Sequence, residues 1–335
     1  MRMTPPVFVF ATCQPASSPW LKADVLAEHP SWRLAYSRPG LITFKADGDD
    51  ARVSSPYARV WGQSIDRAAG VEELASLIGE PSDPLRLHVF DREEEGRAAQ
   101  VEAEIRAAMP GRILPDVMAW PGERVIDVVV DAPGEPWLVG WHEHTEHRSP
   151  WPGGPRRVAL PPDAPSRAYA KIEEAIEWSG MDIAAGQVAV EIGAAPGGSV
   201  LALLERGLEV TAIDPAAMDP RVLEYRGTRG NRCRHLQQTA GTVQRDALPA
   251  RVDWLLSDAN LAPPIALRTV ERLAGMLRPR GVVLTLKLND EHMRAQLADF
   301  VARVGRLGLG PARAAQLPSH RHEVVAVACD TNRKQ

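Results

Sequence analysis

Along the first 150 residues, apolar positions fall in short runs with the two-residue period or β-branched density of strands. These runs are VFVFA (7–11), LITFKA (41–46), LRLHVF (85–90) and RVIDVVVDA (124–132). Between them, VEELASLIG (71–79) and EEEGRAAQVEAEIRAAM (93–109) space their apolar residues three and four apart, as a helix does. The pattern predicts an α+β domain over residues 1–150 with a mixed or antiparallel sheet. Residues 147–167, HRSPWPGGPRRVALPPDAPSR, hold six prolines and break both periods, which predicts a linker over 151–165. Beyond it, strand-like runs recur at QVAVEIG, LEVTAID (208–214), VDWLLSD (252–258), GVVLTLKL (281–288) and HEVVAVACD (322–330). Helical patterns at 198–206, 265–278 and 291–307 alternate with them. This order predicts a Rossmann-like, doubly wound α/β domain over 166–335, with its ligand beyond the carboxyl ends of the strands.

Composition narrows the class. With 335 residues, 44% hydrophobic and 24% charged, the chain has enough apolar surface for two folded domains. Cys13, Cys233 and Cys329 have no CxxC spacing, which argues against a disulfide framework or a structural zinc. His142, His144 and His147 cluster in WHEHTEH, but the spacing fits neither HExxH nor a zinc-finger pair, so no metal is expected. No apolar run approaches the roughly 18 residues of a membrane helix. The N-terminal PVFVFATC is short, has only Arg2 ahead of it and contains Pro5 and Pro6; it reads as a first strand, and the cytoplasm is the expected location. Charge is uneven: residues 1–165 carry 17 basic and 24 acidic side chains, and residues 166–335 carry 22 and 19. RVLEYRGTRGNRCRH (221–235) gathers Arg221, Arg226, Arg229, Arg232 and Arg234 in what reads as a loop, suited equally to a phosphate backbone or to solvent.

The stretch EIGAAPGGS (191–199) follows a short strand and carries the most specific chemistry. No lysine follows Gly198, as a Walker A loop requires, and Gly193 is followed by two alanines, unlike G-x-G-x-x-G. S-adenosylmethionine needs no phosphate cradle. It needs close backbone approach, and acids for its cationic groups and ribose hydroxyls. Glu191 and Asp214 end the first two strands of the second half and flank the turn, which favours this cofactor over a dinucleotide.

GAAPGG, preceded by LPPDAPSRAYAKIEEA, resembles the FtsJ/RlmM family of S-adenosylmethionine-dependent ribose 2′-O-methyltransferases, and its RlmM-like members most closely. The likeness covers the second half strongly. The first half is covered weakly, through ATCQPASSPWLKADVL, ARVWGQS and SPWPGGPRR, and the resemblance implies a ferredoxin-like, THUMP-containing N-terminal domain that grips RNA. It implies methylation of a cytidine ribose in large-subunit ribosomal RNA. It also implies a catalytic Lys-Asp-Lys-Glu set, matched by Lys171, Asp258, Lys287 and Glu323. In that set Lys287 is the expected base, its ammonium destabilised by burial and by Lys171. Asp258 orients Lys287 and faces the reacting methyl, and Glu323 holds Lys171 or the nucleotide. The cofactor contacts implied are Glu191, Gly193, Ala195, Pro196, Gly197, Gly198, Asp214, Thr239 and Asp258. The chain departs from the family at Ser199, where an aromatic often follows PGG, at Glu191 in place of aspartate, and at Thr239 in place of an acid near the adenine. A catalytically silent binding module for RNA or protein, or a small-molecule O-methyltransferase, are the alternative readings.

Overall fold

Seven strands and three helices build the N-terminal half of the computed structural model, which describes residues 7–48, 52–79, 83–93 and 96–330. The chain divides into two units, Met1–Arg156 and Arg157–Gln335. The elements of the first are β1 (Val7–Thr12), α1 (Ser18–Glu28), β2 (Arg33–Arg38), β3 (Leu41–Ala46) and β4 (Trp61–Ala68). They continue with α2 (Val71–Ile78), β5 (Arg86–Asp91), α3 (Ala98–Ala108), β6 (Arg124–Val130) and β7 (Trp137–Glu143). The strands form one sheet in the order β2-β3-β1-β4-β7-β6-β5. It is mixed: β5 and β6 pair in parallel across the α3 crossover, and the remaining pairs are antiparallel. Residues 1–6, with Arg2, Pro5 and Pro6 at the start of the N-terminal run, and Glu94 and Glu95 of the predicted helix lie outside the described residues.

The run RVIDVVV is apolar throughout because both faces of β6 are covered. Ile126, Val128 and Val130 pack with Val139 against Leu74, Val101 and Ile105 of the helices. Val129 faces the other way, into Phe10, Phe90 and Leu138. Irregular chain covers this second face: Ala119 N–H donates to Pro150 O, and Arg148 donates to Trp61 O. The proline-rich stretch is thus divided, its first part packed on the N-terminal unit. Farther on, Val158 N–H donates to Glu174 within the C-terminal unit.

Four elements of this unit lacked a sequence signal, each for a physical reason. β2 is an exposed edge strand with no buried face, and α1 buries only Ser18, Leu21 and Val25. β4 and β7 carry Gly62 and Gly140, which weaken a strand pattern. A side chain at Gly140 would collide with the Phe10 ring, and one at Gly62 with the Trp141 carbonyl.

The second unit comprises α4 (Ala168–Ser179), β8 (Val188–Ile192), α5 (Gly198–Glu205), β9 (Glu209–Ile213), α6 (Pro220–Glu224), β10 (Cys233–Leu236) and β11 (Trp254–Ser257). It continues with α7 (Pro263–Leu277), β12 (Gly281–Lys287), α8 (Glu291–Ala295), α9 (Leu297–Gly305), β13 (Arg313–Ala315) and β14 (Glu323–Cys329). The strand order is β10-β9-β8-β11-β12-β14-β13. β10 through β12 are parallel, and β14 runs antiparallel to both β12 and β13. The predicted helix 291–307 is two helices, α8 and α9, with Gln296 between them. The arginine-rich stretch read as a loop is bracketed by α6 and edge strand β10, and all five of its arginines are exposed. From β8 the chain winds outward through β9 to β10, then returns to place β11 on the other side of β8. That reversal opens a crevice beyond the carboxyl ends of β8 and β11.

Glu174, 1% exposed on α4, ties the approach to β14 in place. It accepts hydrogen bonds from Val158 N–H at 3.2 Å and from Ser319 N–H and Oγ at 2.8 and 2.7 Å. Glu174→Leu strands three donors and should lower the stability of this unit by about 2–4 kcal/mol. Urea unfolding followed by tryptophan fluorescence measures the change; a loss below about 0.5 kcal/mol contradicts the assignment.

Candidate active site

Residues in register across neighbouring strands share a face of the sheet. The ladders align Glu191 with Leu256, Leu256 with Val283, Thr285 with Val325, and Lys287 with Glu323. Asp258 N–H extends the β11 ladder by donating to Ile192 O. Counting by twos along each strand, 191, 256, 258, 283, 285, 287, 323 and 325 all face the same side. α4 covers that side, burying Ile172, Ala175 and Ile176. Parity therefore delivers Asp258, Lys287 and Glu323 to one corner of the crevice, and Lys171 on α4 completes it.

The four side chains close a ring of alternating charge. Lys287 Nζ donates to Asp258 Oδ1 and to Glu323 Oε2, each at 2.6 Å. Lys171 Nζ lies 3.3 Å from Asp258 Oδ2 and 2.5 Å from Glu323 Oε1. Each carboxylate spends one oxygen on each lysine, and all four side chains are 11–16% exposed. Burial disfavours the Lys287 ammonium, but attraction to Asp258 and Glu323 outweighs it and raises the pKa above the ordinary lysine value. This corrects the expectation that burial and Lys171 would destabilise that ammonium: two acids in contact act more strongly than one cation beyond them. Burial likewise opposes the Glu323 carboxylate, yet Lys287 and Lys171 pull its pKa down to about 2. His320 packs against the group, 1% exposed, and burial depresses its pKa to about 4. Its Nδ1 accepts from Leu317 N–H, as a neutral imidazole does.

The glycine turn joins the same corner. Gly193 has φ +73°, and a Cβ there would run into the backbone of Ala259, the residue after Asp258. Gly197 has φ +111° and packs where a side chain would meet Met218 and Val222. Between them, Ala195 N–H donates to Asp214 Oδ2 at 3.2 Å, while Asp214 Oδ1 accepts from Ala216 N–H at 2.8 Å. Asp214 thus braces the turn and remains half-buried at its edge. Gly193 and Ala195 are half-buried, Pro196 and Thr239 are exposed, and Gly197 and Gly198 are buried.

Glu191 is the exception among the expected contacts. It is 1% exposed, and one carboxyl oxygen accepts from Ser199 Oγ in the first turn of α5. Its side chain points into the layer under α4 and not toward the open rim. Ser199 and His320 are the residues that sequence reasoning left unassigned. Ser199 stood out as a missing aromatic, but nothing in its spacing tied it to Glu191. In the N-terminal unit His142 and His144 are buried, with His142 Nδ1 2.6 Å from Asp127, while His147 is exposed. Among the described residues no group of three or more His, Cys, Asp or Glu is placed to hold a metal ion, and no helix is long and apolar enough to cross a membrane.

The FtsJ-like methyltransferase family model matches residues 164–328. The chain is 34% identical over 189 residues to the Ribosomal RNA large subunit methyltransferase M of Alkalilimnicola ehrlichii, covering 53% of this chain and 49% of that protein. The protein of the same name from Azoarcus sp. is 31% identical over 219 residues, covering 62% and 57%. That from Methylococcus capsulatus is 36% identical over 144 residues, covering 42% and 39%. The chain spans about half the length of the curated relatives it matches.

Because the pKa of Glu323 is depressed from 4.5 to about 2 in the fold, its stabilising contribution is complete above pH 4.5 and disappears as pH falls toward 2. The urea midpoint of the wild type should drop across that window by more than that of Glu323→Gln, which has no carboxylate to protonate. Parallel curves for the two proteins contradict the assignment.

Proposed function

Residues 164–328 belong to the FtsJ-like methyltransferase family, and from that premise we propose that the chain transfers a methyl group from S-adenosylmethionine to a ribose 2′-hydroxyl of RNA. The acceptor we propose is a cytidine of large-subunit ribosomal RNA: the cytidine is what the resemblance implies, and large-subunit ribosomal RNA accords with the names of the relatives. The observation that carries this reading is the closed ring of Lys171, Asp258, Lys287 and Glu323 at the switch point of the sheet.

The residues fit the cofactor. Gly193 and Gly197 clear the turn of side chains, Asp214 offers carboxylate edges at the end of β9, and no lysine intrudes for a phosphate that the cofactor lacks. Gly193, Ala195, Pro196, Asp214 and Thr239 would hold it, with Asp258 close to the turn. When bound, S-adenosylmethionine supplies an electrophilic methyl group for in-line attack. A ribose hydroxyl is a poor nucleophile until its proton is removed or polarised. Neutral Lys287 would accept the proton of that hydroxyl, Asp258 and Glu323 would orient its Nζ, and Lys171 would position the ribose. The carboxylates hold Lys287 as the ammonium at neutral pH, so the base form is a minority species and the rate rises with pH. We assign the N-terminal unit the THUMP-like role of holding RNA, a reading supported by the resemblance of its first segments.

Labelled S-adenosylmethionine and ribosomal RNA lacking the modification test the proposal. Lys287→Ala should reduce transfer by roughly 10²–10⁴-fold, the usual contribution of a general base, while calorimetry shows little change in cofactor affinity. Asp214→Ala should instead weaken cofactor binding by roughly tenfold. Cofactor binding without ribose labelling by the wild type defeats the acceptor assignment, and a Lys287→Ala protein with full activity defeats the base. A transfer rate flat from pH 6 to pH 10 also defeats a lysine base.

A further inference from the structure

Behind the tetrad, on the same face of the sheet, lies a cavity of about 20 Å³ lined in part by Lys171, Glu191, Ser199, Asp258, Thr285 and His320. A buried water needs roughly 10–15 Å³ and two to four polar partners, so the cavity admits one. Glu191 contributes an unusual group to it. The side chain is 1% exposed, Oε1 accepts from Ser199, and Oε2 is buried with no hydrogen-bond partner among the described residues. An ionised carboxylate in that position is strongly disfavoured, whereas a carboxylic acid presents an O–H donor as well as acceptors. In register Glu191 sits level with Leu256, one side-chain repeat below Asp258.

We propose that this cavity holds one structural water joining the neutral carboxylic acid of Glu191 to the Lys171–Asp258 edge of the tetrad, which makes Glu191 a positioning residue for methyl transfer. A water bridge of this kind ties two groups nearly as well as a direct hydrogen bond. The arrangement explains why a long acid ends β8 while facing inward: it supports the ring from below without adding a charge.

The charged and titratable groups around Glu191 define its pH behaviour. Asp258 at the end of β11, Asp214 at the end of β9 and Cys233 on β10 interact with its charge, and Lys171 on α4 and His320 ahead of β14 line the same cavity. Burial raises its pKa to about 8, the Ser199 hydrogen bond opposes that rise, and repulsion from Asp258 and Asp214 adds to it. Once Glu191 ionises, the new negative charge adds to those that already favour the Lys287 ammonium. The wild-type rate, rising with pH, therefore flattens as Glu191 loses its proton, and the rate of Glu191→Gln keeps rising.

The activity arm of the test rests on the methyltransferase reading; a spectroscopic arm does not. In protein labelled with [¹³C]glutamate and [¹⁵N]lysine, the Glu191 carboxyl resonance should titrate near pH 8. At least one of the Lys171 and Lys287 Nζ resonances should shift with the same midpoint, and that shift should be absent in Glu191→Gln. Glu191→Met, which fills the cavity with apolar atoms, should lower kcat by roughly tenfold with the KM for S-adenosylmethionine unchanged, and Glu191→Gln should recover most of that loss. Lysine resonances indifferent to Glu191, or a Met variant with wild-type kcat and pH profile, overturn the proposal. A wild type that methylates no RNA defeats the functional reading alone, because the resonances still decide whether Glu191 and the tetrad are joined.

Discussion

Mutual neutralisation of two ammonium groups and two carboxylates is the interaction on which the C-terminal unit is organised. None of the four side chains is more than 16% exposed, and a partly buried charge is tolerable only when it is paired and hydrogen-bonded. A closed ring meets that condition four times with four residues. It also requires four separate elements to arrive in register. β11 and β12 pair in parallel, and β14 returns antiparallel against β12, so that Glu323 opens the strand opposite the residue that ends its neighbour, Lys287. α4 must lie over the same face to supply Lys171, and Glu174 anchors it to Val158 and Ser319 on either side.

The same neutralisation decides the chemistry. A lysine beside another lysine suggests a lowered pKa and a ready base. Geometry reverses this, because each ammonium touches two carboxylates and the other ammonium lies beyond them. The ammonium of Lys287 is therefore favoured over its neutral form, and in the function proposed above its deprotonation is part of the cost of activity. Glu191 differs: buried under α4, it accepts from Ser199, and burial favours its neutral form.

The glycine turn and the tetrad share a contact. Gly193 lies against Ala259, directly after Asp258, so the absence of a side chain at one position fixes how close the other can come. Asp214 has a double duty of the same kind, accepting from Ala195 and Ala216 while keeping an open edge. In the N-terminal unit the strands that escaped pattern reading are those whose packing calls for glycine or leaves a face in solvent, where periodicity carries little signal.

By itself the sequence determined the alternation of strand and helix after residue 166, the glycine turn, the two strand-end acids and four residues with a catalytic resemblance. These are local or strand-periodic features, and apolar spacing and turn chemistry write them directly into the order of residues. That Asp258, Lys287 and Glu323 share a face follows only from the register in which their strands pair. The tertiary structure alone decided which pairings form, hence that the acids stand between the lysines, that Glu191 turns inward to Ser199, and that a cavity remains beneath the ring. Those outcomes depend on distances of a few ångströms between elements far apart in the chain, and electrostatic effects at that range change sign with which partner is in contact.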